Sequence, residues 1–172
     1  DIDATAGVTQ DAEAGSSPAT HGIYGSSAVE ISSTGGTITL DGEPPISGGS
    51  VSSGTGYVTV ENTGGDIVHS GRGISAAGNV VIDASGSVTQ SGIGNIQSSG
   101  GFINIDAGTD VSHTGLGDIL TYSAGSSISM DAGNSVTQTN SSADIISNTT
   151  TNIGTNVRPS TVSINGGGID SD

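Results

Sequence analysis

Four acidic residues recur at nearly even spacing: Glu61, Asp83, Asp106 and Asp131, separated by 22, 23 and 25 residues. Each directly follows an apolar residue, in turn Val60, Ile82, Ile105 and Met130. Carboxylates at one fixed place in a repeat form a ladder if the repeats stack as rungs. At a rung spacing of about 4.8 Å, neighbouring carboxylates repel by roughly 1 kcal/mol even at the dielectric of water. Two chemistries answer that repulsion. Hard cations such as Ca²⁺ or Mg²⁺ seek several oxygens, and Gly-rich corners add carbonyl ligands. Alternatively, each carboxylate bonds the backbone of its own corner as an Asx-turn, with water and salt screening the rest. Asp3 matches one end of the ladder, with Ser32 between it and Glu61. The metal candidates are therefore Glu61, Asp83, Asp106 and Asp131. Ca²⁺ is the ion they would take, and no cofactor is required.

Other side chains recur in the same way. Thr9, Thr39, Val68, Thr89, Ser112 and Thr137 form an outward ladder. Threonine arrays can mark ice binding, but the Val and Ser interruptions favour ordinary strand propensity. Beside it run Gln10, Leu40, His69, Gln90, His113 and Gln138. The two histidines fall two repeats apart, about 10 Å on a stacked solenoid, too far to share one zinc. They read as polar ladder residues. Arg72 and Arg158 are the only strong bases and neither recurs. No Gly-x-Ser-x-Gly, P-loop or zinc motif occurs, so no catalytic residue is assigned. A polysaccharide-active enzyme ranks third among the functional readings, because stacked acids supply carboxylate pairs everywhere and single out none.

The composition narrows the partners. The 172 residues carry 17 Asp and Glu against 2 Lys and Arg, a net charge of −15. Nucleic acid needs cations to displace its counterions, so it is excluded as a partner. Anionic membranes and acidic polysaccharides are disfavoured for the same reason. There is no run of apolar residues long enough for a spanning helix, so no membrane insertion is expected. Cysteine is absent, which removes disulfide and thiol chemistry. The chain opens on Asp1 without Met and shows no secretory leader, so a leader or upstream region is expected to have been removed or left out.

The elements that must position these ladders are legible in the repeat. Each unit of about 22–25 residues has three apolar peaks. The first is a Val-x-Ile pair such as Val58/Val60, Val80/Ile82, Ile103/Ile105 and Ile128/Met130. The second is a single residue, including Val88, Val111 and Val136. The third is Ile23, Ile74, Ile96, Ile119 and Ile145. Period-two alternation marks short strands with one face inward. Gly, Asn and Asp between the peaks supply sharp corners. The phrase returns in the same order and orientation, which predicts a parallel stack and not a hairpin meander. The expected fold is an all-β parallel β-helix spanning 1–172 as one domain. It has three short strands per coil, about six coils, and insertions at the corners. Its core is Val60, Ile82, Ile105, Met130, Val88, Val111, Val136, Ile96, Ile119 and Ile145.

Insertions are expected at 11–20, 42–56 and 148–161, which hold all four prolines, as strand hydrogen bonding demands. The final Val162/Ile164 pair reads as a first strand of a last coil. No capping helix is visible at either end, so the end rungs would present unpaired strand edges. Either the segment belongs to a longer solenoid, or its ends meet copies of itself head to tail.

The runs GNVVIDASGSVTQSG and GGFINIDAGTDVSHTG resemble the repeats of filamentous-haemagglutinin-type exoproteins. The resemblance covers Ile2 to about Ile146 and is plainest from Val58 to Gln138. It implies a right-handed parallel β-helix shaft on the bacterial cell surface, secreted and used for adhesion or for projecting another domain. The amino-terminal secretion domain of that family is not recognisable here. The expected function is thus a non-catalytic, extracellular structural solenoid, a shaft segment or end-to-end stacking subunit of a surface fibre. Self-stacking supplies its partner. The alternative is an adhesin module whose corner loops grip a cell-surface glycan or protein.

Overall fold

The computed structural model describes residues 1–10, 22–41, 51–154, 161–164 and 169–171. All regular structure among them is strand, arranged as three parallel seven-stranded sheets. The first sheet runs Ile2–Ala4, Val29–Ser33, Val58–Asn62, Val80–Ala84, Ile103–Ala107, Ser127–Ala132 and Thr150–Ile153. The second runs Val8–Gln10, Ile38–Leu40, Ile67–His69, Val88–Gln90, Asp110–His113, Ser135–Gln138 and Thr161–Ile164. The third runs Ile23–Gly25, Val51–Ser53, Ile74–Ala76, Ile96–Ser98, Ile119–Thr121, Ile145–Ser147 and Ile169–Ser171. The chain visits the sheets in rotation, one strand each per coil. This is the solenoid that the repeat predicts.

Register follows the repeat residue for residue. Val60, Ile82, Ile105 and Met130 are successive Cα partners in the first sheet. Ile67, Val88, Val111 and Val136 stack in the second, and Ile74, Ile96, Ile119 and Ile145 in the third. All ten expected core residues are buried in one continuous cluster. Slipping any strand by one residue would turn its apolar set outward, so the interior itself fixes the register.

The hydrogen-bond ladder continues around the corners. Ser85 N donates to Asn62 O at 2.8 Å, Gly108 N to Ala84 O at 2.8 Å, and Gly133 N to Ala107 O at 3.0 Å. Backbones packed this closely leave little room for side chains. A Cβ on Gly115 would overlap the Gly92 carbonyl directly below it. Gly36 combines such an approach, to the Ala6 carbonyl, with a φ of 70°. No residue other than glycine takes a positive φ among those described.

Two expected boundaries need correction. The insertion assigned to 42–56 overlaps the strand Val51–Ser53, which pairs with Ile23–Gly25 and Ile74–Ala76. A lone Val among Ser and Gly carries little periodic signal. What makes it a strand is the neighbour on either side, and Val51 is fully buried. The insertion assigned to 148–161 likewise contains the first-sheet strand Thr150–Ile153, in which Thr151 faces Ile128 and Ile153 faces Met130. The Val162/Ile164 pair therefore belongs to the second sheet, where Val162 partners Val136. Its Val-x-Ile spacing imitates a first strand, and only the pairing distinguishes the two. The expected insertion at 11–20 lies outside the described residues.

Candidate functional site

The first sheet brings the four acids together as the repeat predicts. Glu61 is the Cα partner of Asp83, Asp83 of Asp106, and Asp106 of Asp131. At the lower end Ser32 partners both Asp3 and Glu61, and its hydroxyl donates to Asp3 Oδ1. Burial is graded along the row: Glu61 and Asp83 are exposed, Asp106 is half-buried, and Asp131 is fully buried. Ser129 Oγ donates to Asp131 Oδ2 at 3.4 Å. The Asp106 carboxyl is pushed above its ordinary range, first by burial and then by Asp83 and Asp131 on either side. Among the described residues no three His, Asp or Glu side chains converge as a metal centre. Any cation on this ladder would therefore be held between neighbouring pairs, with water filling its shell.

The Gln/His ladder turns inward. Leu40, His69, Gln90, His113 and Gln138 are successive partners and all are buried. Most of them prop the corner that leads into the third sheet. Gln90 Nε2 donates to Gly92 O at 3.3 Å and Gly94 O at 3.2 Å. His113 Nε2 donates to Gly117 O at 2.7 Å, and Gln138 Nε2 to Ala143 O. Because a carbonyl only accepts, the His113 proton sits on Nε2. His69 differs: neither ring nitrogen meets a partner. Burial pushes its pKa down to about 4, with His113 assisting and Asp41 opposing. Burial also lowers His113. Sequence spacing located this ladder, and only alternation against Ile67, Val88 and Val111 could have shown its direction.

Other corners use the same device. Asn62 Nδ2 donates to Gly36 O and Asp66 O, both at 2.8 Å, while Gly64 N donates to Asn62 Oδ1 at 3.2 Å. Ser98 Oγ donates to Gly78 O at 2.6 Å and accepts from Gly101 N at 2.9 Å. Such bonds satisfy buried backbone groups that a corner would otherwise strand.

The outward faces differ in chemistry. The first carries the acids. The second presents the Thr ladder, half-exposed at Thr39, Val68, Thr89, Ser112 and Thr137. The third carries Tyr24, Ser52, Ser75, Gln97, Leu120, Ile146 and Asp170 in register, with Leu120 buried. Gln97 Nε2 donates to Ser75 Oγ at 3.0 Å, and the Tyr122 hydroxyl reaches Gln97 Oε1 at 3.5 Å. This third face escaped sequence reasoning, because its outward residues share no single type.

The fold defines the chain as a parallel β-solenoid repeat protein. Comparison with known protein families, with curated proteins and with solved structures finds no match.

Proposed function

We propose that this chain is a non-catalytic shaft segment of a bacterial surface fibre, stacking end to end on further coils. The observation that carries this reading is the contrast between middle and end rungs. Core residues of the middle rungs, such as Ile38, Val60, Ile74 and Ile103, are fully buried. Ile2, Val162 and Ile169, on the terminal strands, are 36%, 50% and 45% exposed. Each end therefore offers apolar side chains beside a row of strand edges, a surface that another parallel rung would complete. More coils of a longer chain or a second copy would serve equally. The filamentous-haemagglutinin-like repeats and the excess of acid support an extracellular, cell-surface setting.

The test is sedimentation and electron microscopy of the purified chain across a concentration series. Head-to-tail oligomers that Val162→Asp disperses are expected. A chain that stays monomeric at high concentration, and shows no rods, overturns self-stacking. No helix of the described residues is long and apolar enough to cross a membrane.

A further inference from the structure

We infer that the third face is a binding surface for a neutral, linear glycan laid along the solenoid axis. The inference is independent of end-to-end stacking. It begins with the distribution of charge. Residues 23–28, 51–57, 74–79, 96–102, 119–127 and 145–149 form the first six strands of the third sheet and the corners that follow them; the seventh strand, Ile169–Ser171, carries Asp170 in register with Ile146. The first six segments contain no Asp, Glu, Lys or Arg, on a chain of net charge −15. The same segments hold every aromatic residue of the protein, Tyr24, Tyr57, Phe102 and Tyr122. All four are exposed, at 70%, 41%, 42% and 60%. A strand core would have buried them, and solubility would have placed charge here. Tyr57 marks the border of the stripe, where its hydroxyl bonds Glu30 of the acidic face.

Shape agrees with composition. A depression of about 490 Å³ is lined by Ser52, Ser75, Gln97, Asn95 and Ile93, with Arg72 as its one charged side chain. That volume lies within the range of ligand pockets. A second, of about 290 Å³, opens further along the same face beside Leu120, Tyr122 and Ile146. Hydroxyls and amides of the lining can donate and accept, while exposed rings and the Ile93 side chain offer apolar edges. Amphipathic rings paired with neutral hydrogen-bonding groups suit a polyhydroxylated ligand. The face lacks the broad apolar centre of a protein interface. The net charge of −15 repels an acidic polymer, with Arg72 in the first depression the one group opposing that repulsion, and neither depression is lined by a carboxylate that would hold a cationic polymer. Since each rung lies about 4.8 Å above the last, a linear polymer along the axis crosses Ser52, Ser75 and Gln97 in succession.

The test is native electrophoresis of the full chain in gels containing a neutral β-glucan, a neutral mannan, a neutral xylan or, as the acidic counterpart, polygalacturonate. At least one neutral polymer should retard the protein, and polygalacturonate should not. Tyr122→Ala and Gln97→Ala should each weaken the retardation by about fivefold to tenfold, with Thr89→Ala on the second face unchanged and circular dichroism confirming folded variants. The proposal is overturned if no neutral polymer retards the chain, if polygalacturonate does so equally, or if both variants behave as the parent does. It also falls if the face is found closed by a second copy, seen as a lateral dimer that Tyr122→Ala dissolves.

Discussion

Asp106 lies beside Asp83 in the first sheet, Cα partner to Cα partner, with Asp131 on its other side. Burial first, and then the carboxylates on either side, hold its pKa above the ordinary value. A carboxyl raised in the folded state costs stability wherever it is ionised. The cost is full above the folded pKa and disappears as pH falls through that value towards the unfolded one. Asp106→Asn should therefore raise the melting temperature at pH 7. The gain should shrink on acidification and vanish near pH 3.8, the ordinary value. Thermal melts of the two proteins from pH 7 to pH 4 would check it. A gain that stays constant across that span would mean that ionisation of Asp106 is not its source.

The same ladder predicts a response to divalent cations. If Ca²⁺ neutralises neighbouring carboxylates, millimolar Ca²⁺ should raise the melting temperature above that in chelator, by more than NaCl of equal ionic strength. Asp83→Asn combined with Asp106→Asn should abolish the difference. Equal melting points with Ca²⁺ and chelator would assign the ladder to water and backbone alone.

His69 should make the fold acid-sensitive. It is buried and neutral, with a pKa near 4, whereas the unfolded chain takes up a proton near pH 6.5. Stability should therefore fall as pH drops from 6.5 to about 4, by roughly 3 kcal/mol from this residue. That loss opposes the gain at Asp106 in sign. Leu40, in the same column one rung below, is fully buried and shows that the interior accepts an aliphatic side chain. His69→Leu should raise the melting temperature and flatten its dependence between pH 6.5 and 4. Unchanged acid sensitivity in that variant would point to His113 instead.

The corners predict a ranking of glycine substitutions. Gly115→Ala drives a methyl into the Gly92 carbonyl, and the neighbouring rungs leave neither backbone free to withdraw. Overpacking of this kind costs about 1–3 kcal/mol, or roughly 2–10 °C in melting temperature at this chain length. Gly125 has a φ of 85° and open space around it. Gly125→Ala meets only the backbone penalty of about 1 kcal/mol. Differential scanning calorimetry should place Gly115→Ala below Gly125→Ala, and the reverse order would locate the strain in φ and not in rung spacing.

The sequence by itself determined the solenoid. Val and Ile at fixed offsets, repeated in the same order, permit few arrangements that bury every apolar peak, and stacked parallel rungs are the one found. The acidic row was equally legible, since a residue next to a register mark must share its register. Tertiary structure decided what single residues could not signal. Val51 and Thr151 became strand members because a rung beside each supplied hydrogen bonds. The meeting of Gln97 with Tyr122 on the third face, 25 residues apart in the chain, arises from how three strands close around an axis. Linear spacing records the rung on which a residue lies. What meets its side chain from rungs more than 20 residues away is settled only when the coil closes.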